Sequence, residues 1–262
     1  GVKMKNMNLG KKAQSWIDQI KYYQKKAPAL YEENIEKSDS EFNIYHYFDI
    51  MDYLKLEQEW LVDYLYLQQR LGGEPLIIAY PESKKLEYKK IIDKINNNKP
   101  DSKAQENELE NIIRTFLNFD DVDNYLTHIR LEPGEESYLQ FVILAELGSQ
   151  FALFWHAAYN DKKFICTLEK AEKIIDRIGR KDKDINHIEN NQFDQQTIEK
   201  VKEIYFEPEI DMSDDKVVVR LVFFTKWGGF IEAKYIVKKT FPHKIIKRET
   251  NNLVEYDCGY VY

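Results

Sequence analysis

Residues 217–239 read VVVRLVFFTKWGGFIEAKYIVKK. Two apolar runs, Val217 to Lys226 and Phe230 to Lys239, flank the pair Gly228-Gly229. That spacing predicts a β-hairpin closed by a glycine turn. The first run does not alternate cleanly, because Val217-Val218-Val219 and Leu221-Val222-Phe223-Phe224 place apolar side chains on both faces of one strand. Such a strand is expected to be covered on both sides.

Working outward, strands are expected at about Ile204–Glu209, His243–Arg248 and Leu253–Tyr262. Upstream, Tyr138 to Leu147 is almost continuously apolar, Gly148-Ser149-Gln150 interrupts it, and Phe151 to Tyr159 resumes it. This too reads as a hairpin, followed by a strand at Phe164-Ile165-Cys166. Thr167 then caps a helix with apolar positions Ala171, Ile174, Ile175 and Ile178, and Gly179 ends it. Phe119-Asp120, Ile129 and Leu131-Glu132-Pro133 recur as Phe193-Asp194, Ile204 and Phe206-Glu207-Pro208. The pattern reads as a duplicated helix-plus-β-meander unit, although any two such units share glycine turns and apolar strands.

The first hundred residues read mainly as helix. Ala13, Trp16, Ile17, Ile20 and Tyr23 fall at helical spacing over about Lys11–Lys26, and Ala27-Pro28 ends that run. A second helix is expected from about Ile50 to Leu71, with Gly72-Gly73 as its exit. Leu76 to Tyr80 reads as a short strand bounded by Pro75 and Pro81. Further helices are expected over residues 83–96 and 109–117, with a polar boundary between them.

The expected fold class is therefore α+β: an N-terminal helical region followed by antiparallel β-sheet with helices. The domains read as 1–100, mainly helical; 101–192, a first α+β unit; and 193–262, a second β-rich unit. The last two read equally as one domain built from a repeat.

The chain has 262 residues and a formal charge of −7. Its acids and bases are interleaved, as in Lys181-Asp182-Lys183-Asp184, so no basic face is set aside for phosphates and nucleic-acid binding is disfavoured. No apolar run approaches the roughly 18 residues of a membrane span. The N-terminal residues lack the apolar stretch of a signal peptide, and Cys166 and Cys258 form no CxxC. The expected location is the cytoplasm, with a signal removed ahead of Gly1 left open.

No phosphate loop, dinucleotide fingerprint, HExxH or GxSxG motif is present, and the five histidines show no metal-ligand spacing. No cofactor, metal or catalytic residue is assigned. His156, with Trp155, Tyr159 and Asp161, has the composition of a general-base site. Adjacent strand residues point to opposite faces, however, so a half-buried sheet histidine is the favoured reading. His243 with Asp257 and Cys258 has the composition of a thiol site, against which stands the ease with which cysteine packs as a small hydrophobe. Asp120-Asp121-Asp123 and Asp211-Asp214-Asp215 read as solvated turns. Trp227 beside the glycine turn, Trp155, His156 and Tyr66 remain as candidate binding residues.

An acidic, aromatic-rich chain without a reactive motif fits a non-catalytic protein-binding role, with a basic protein partner such as a toxin or enzyme to be neutralised. The alternative is a small-molecule binding protein or hydrolase with a site between the two β-rich halves. Homodimerisation is compatible with either, since it would also cover a strand that is apolar on both faces.

Overall fold

A computed structural model describes residues 8–28, 40–66, 73–84, 90, 93, 125–154, 157–158, 162–179 and 193–258. The fold is α+β, with an N-terminal helix followed by antiparallel sheets and further helices. The chain divides into two compact units, each assembled from separated segments. The first comprises Gly1–Asp18, Asp161–Thr240 and Ile245–Tyr262; the second comprises Gln19–Asn160 and Phe241–Lys244. Helix α1 (Leu9–Tyr23) runs from one into the other and buries Ala13, Trp16, Ile17 and Ile20, the stripe expected from the sequence.

The first unit is built on a five-stranded antiparallel sheet. Its strands are β5 (Lys163–Ile165), β6 (Glu209–Met212), β7 (Lys216–Thr225), β8 (Gly229–Lys238) and β9 (Ile245–Val254). Strand β7 is central: β5 and β6 share one of its edges end to end, β8 takes the other, and β9 follows β8. The predicted hairpin forms with Thr225 opposite Gly229. Gly229 sits at φ 81°, and a Cβ there would lie 2.1 Å from the Val254 carbonyl oxygen. Only glycine fits both constraints. Leu221, Val222, Phe223 and Phe224 are all buried, as their unbroken apolarity predicts.

Helices α4 (Leu168–Gly179) and α5 (Gln195–Lys202) belong to this unit. Thr167 Oγ1 accepts from the Lys170 N–H at 3.3 Å and caps α4 as expected. Asp194 Oδ1 accepts from the Thr197 N–H at 2.7 Å and caps α5, which the sequence reading did not anticipate. Ala171, Ile174, Ile175 and Ile178 share one helix face and meet Val222, Phe224 and Phe230 of the hairpin, with Tyr256 and Cys258 closing the same core. Two strand expectations change here. Residues 204–208 precede β6 rather than forming a strand, and β9 runs on from the segment expected at 243–248 to Leu253 and Val254, after which residues 255–258 form no strand.

The second unit holds two short antiparallel ribbons and a buried helix. Strand β1 (Leu54–Leu56) pairs with β4 (Ile129–Leu131), and β2 (Trp60–Leu65) pairs with β3 (Leu76–Pro81). The helix expected over Ile50–Leu71 is therefore corrected. Among the described residues of this stretch only the short α2 (His46–Ile50) is helical, and the chain turns at Met51–Tyr53 before entering two strands. Trp60-Leu61-Val62-Asp63-Tyr64-Leu65 is rich in strand formers, and pairing with β3 overrides a spacing that also fits a helix. Glu59, at φ 64°, makes the turn between β1 and β2.

The hairpin expected from Tyr138 is also corrected. Glu135–Leu147 is an α-helix, α3, with nine of its thirteen residues buried. A helix covered on all sides loses its 3.6-residue periodicity and looks like a continuous apolar strand. Because Tyr138–Leu147 is helical where Lys216–Thr225 is strand, the described residues show no matching pair of β-meanders. The helices expected over 83–96 and 109–117 fall largely outside the described residues.

Around α3, Gln24 Nε2 donates to the Leu147 carbonyl at 2.5 Å and to Tyr47 Oη at 3.0 Å, while Tyr47 donates to the Gly148 carbonyl at 2.7 Å. Phe42 stacks on Phe151 at 3.9 Å and meets Tyr47 and Tyr64 edge-on at 5.5 Å. Tyr47 and Tyr64 are thus core residues.

Candidate functional site

Arg220 organises the most polar part of the first unit. On β7 its neighbours Val219 and Leu221 point to the buried face, so strand alternation sends Arg220 to the other side. The register sets it opposite Glu209 on β6 and Lys234 on β8. Its Nε donates to Glu232 at 2.5 Å and lies 3.2 Å from Glu209 Oε2. Its Nη1 donates to the Tyr205 carbonyl at 3.0 Å and to the Glu207 carbonyl at 3.5 Å. One planar guanidinium thereby ties the 205–209 segment to the sheet, a task that suits arginine's fork of donors.

Above this clamp stands Tyr205, with 55% of its surface exposed. Its hydroxyl donates to Glu207 Oε2 at 3.4 Å, and the Arg220 guanidinium lies 5.9 Å from its ring. Desolvation, and after it the Glu207 and Glu209 carboxylates, push the phenol above its ordinary value. The arrangement is an exposed aromatic ring beside Glu207 and Glu209, with Arg220 engaged by Glu209 and Glu232. An aromatic ring and carboxylates are groups that engage a cation, and within the chain they already engage Arg220.

A second polar cluster belongs to the other unit. The β1–β4 ribbon continues past Leu56 with the Glu57 N–H donating to the His128 carbonyl at 2.8 Å, which fixes the two side chains opposite each other. Glu57 Oε2 lies 3.2 Å from His128 Nδ1, and Arg130 Nη2 donates to Glu57 Oε1 at 2.9 Å. A carboxylate accepts, so the contact engages the Nδ1 side of the ring and orients Nε2 away from Glu57. Trp60 stacks on that ring with centroids 3.5 Å apart, and the Arg130 guanidinium lies 4.0 Å from the Phe241 ring centre. Chemically this is an oriented imidazole with a neighbouring cation.

The sequence reading missed both clusters. Glu57 and His128 stand 71 positions apart, and only the ribbon register joins them. Arg220 sits inside an apolar run, where a single charge facing a partner strand was the available signal.

Of the residues singled out from sequence, Trp227 lies at the β7–β8 turn and is 39% exposed. Tyr66 follows β2 and is half-buried, and burial raises its phenol. Trp155 and His156, with Tyr159 and Asp161, lie outside the described residues. His243 belongs to the second unit, buried with its ring edge-on to Tyr138 at 6.0 Å and to Phe241 at 5.9 Å. Asp257 and Cys258 belong to the first unit, where Cys258 is part of the apolar core and its N–H donates to the Lys226 carbonyl at 2.9 Å. Burial pushes the other thiol, Cys166, well up. Both cysteines are free and buried.

No protein family, curated protein or solved structure matches this chain. Among the described residues no helix is long and apolar enough to cross a membrane, and no group of three or more ligating side chains could hold a metal ion.

Proposed function

We propose that this chain is a non-catalytic protein-binding module that docks a basic segment of a partner protein on the Tyr205 surface. The observation that carries the reading is the exposed Tyr205 ring beside Glu207 and Glu209, on a segment held by an arginine that Glu209 and Glu232 already engage. Interfaces draw their energy from a few aromatic anchors, and opposite charge around them steers the encounter. The chain's formal charge of −7 acts in the same direction over a longer range. Trp227, exposed on the same unit, supplies a further aromatic contact.

The test is capture of partners from native lysate by the intact chain, by Tyr205→Ala and by Glu207→Gln/Glu209→Gln. A basic protein retained in stoichiometric amount at low salt, released at high salt and lost with both variants is the expected result. Equal recovery by wild type and variants, or no stoichiometric partner at any salt, overturns the proposal.

The Glu57–His128 pair favours a second reading, in which the second unit binds or hydrolyses a small molecule with His128 Nε2 as base. His128→Gln would then abolish turnover of that molecule while leaving partner capture unchanged.

A further inference from the structure

Strand β9 is an edge. It runs for ten residues, pairs with β8 on one side, and carries an unbroken exposed stretch from Ile246 to Asn252, with Ile246 61% exposed. Among the described strands none lies on its outer side. A long open edge presents a row of backbone donors and acceptors ready to take another strand. Its register against β8 shifts at Ile246 and at Leu253, which leaves residues 247–252 as the regular stretch, and proline is absent from IIKRETNNLV.

We propose that β9 pairs antiparallel with β9 of a second copy, about a two-fold axis at Arg248. The inference is independent of the Tyr205 surface. Symmetry limits its register, and charge complementarity favours, among the allowed centres, the one that sets unlike charges directly opposite. A two-fold axis perpendicular to the sheet keeps the same face of each copy upward, so residues placed opposite each other must lie on the same face of their own strands. Because faces alternate with period two, the sum of the paired residue numbers is even.

Of the registers this allows within β9, centring on Glu249 sets two carboxylates face to face, and centring on Lys247 sets two ammonium groups face to face. Centring on Arg248 places Lys247 opposite Glu249 of the second copy, twice by symmetry. Directly opposed unlike charges stabilise a strand pair, and like charges oppose it. Lys247 and Glu249 share one face and already bridge each other at 2.6 Å within the chain, both half-exposed, so the pair is placed to exchange partners across the axis.

The cost of this register is Arg248 meeting its own copy on the other face. The structure removes most of that cost. Arg248 does not point outward along the edge; its guanidinium is drawn back over the sheet, 5.6 Å from the Tyr235 ring on β8 and 5.5 Å from the Phe223 ring on β7.

Charge reversal tests the register directly, read by sedimentation equilibrium of the full chain with circular dichroism as the folding control. Wild type is expected to dimerise with rising concentration. Lys247→Glu and Glu249→Lys should each weaken the dimer at least tenfold, since each sets like charges opposite. An equimolar mixture of the two variants should recover it, because both carboxylates of one variant then face both ammonium groups of the other. The double variant K247E/E249K should dimerise alone. A wild type that stays monomeric at every concentration overturns the proposal and shows that the charges of β9 guard the edge instead. A dimer indifferent to Lys247→Glu, or a mixture that stays dissociated, overturns the register.

Discussion

Lys21 shows how one side chain can make the stability of this chain depend on pH. It lies in the last turn of α1, where burial lowers its ammonium from 10.5 to about 8. The cause is desolvation, which penalises the charged form. Between pH 8 and 10.5 the unfolded chain keeps the Lys21 proton while the folded chain sheds it. Stability therefore rises with pH across that window, and below it the full penalty applies. The penalty is on the order of 3 kcal/mol. Lys21→Met keeps the aliphatic stem and removes the charge. It is expected to raise the melting temperature at pH 7 and to flatten the rise between pH 8 and 10.5. Thermal melts at half-unit pH steps read both effects, and a variant whose melting curve parallels wild type across that window would show that Lys21 keeps its charge in the fold.

At the scale of elements, α3 is held in register by a buried amide rather than by apolar contact alone. Gln140, fully buried, accepts the Tyr53 N–H at 3.0 Å and donates to Asp52 Oδ1 at 3.3 Å. Gln140→Leu leaves a backbone donor and a carboxylate without their partner and should cost about 1–3 kcal/mol in chemical denaturation. Gln140→Glu restores the acceptor but sets a second carboxylate beside Asp52, so it should recover stability only as pH falls. The same helix marks where sequence stops being informative. The β7–β8 hairpin was legible because Gly228-Gly229 and a strand apolar on both faces have few other solutions. Helix α4 was legible because its stripe of Ala171, Ile174, Ile175 and Ile178 faces one core. Helix α3 is covered all round, so its periodicity vanished and its one signal was the acidic first turn, Glu135-Glu136, after Gly134. Strand β2 was misread because its aromatic and branched residues fit two periods at once, and only pairing with β3 decides between them. The clusters around Arg220 and His128 depend on strand register, which no local pattern encodes; Trp227 needed no register, since a turn aromatic is visible from its glycines.

On the scale of the whole molecule, the decisive property is that neither compact unit is a continuous piece of chain. The first takes its opening helical segment from residues up to Asp18 and its sheet from residues after Asp161. That short segment carries more than its length implies. Ala13, Trp16 and Ile17 are buried, Gln14 Oε1 accepts the buried Cys166 N–H at 3.0 Å, Asp18 bridges Lys170 at 2.6 Å, and the Gly10 N–H donates to Glu207 at 3.2 Å. Truncating one buried tryptophan costs about 3–5 kcal/mol, a large share of the 5–15 kcal/mol that holds a typical domain together. A chain that begins at Gln19 loses Trp16, Ile17 and the Cys166 acceptor together. It is therefore expected to lose the sheet at its far end in sequence, with amides of β7 and β8 exchanging at unprotected rates while residues of α3 keep measurable protection. Hydrogen exchange followed by mass spectrometry separates the two regions. Full protection of Val219–Phe224 in the shortened chain would show that the sheet and its two helices stand without the N-terminal segment, and the division into discontinuous units would lose its energetic meaning.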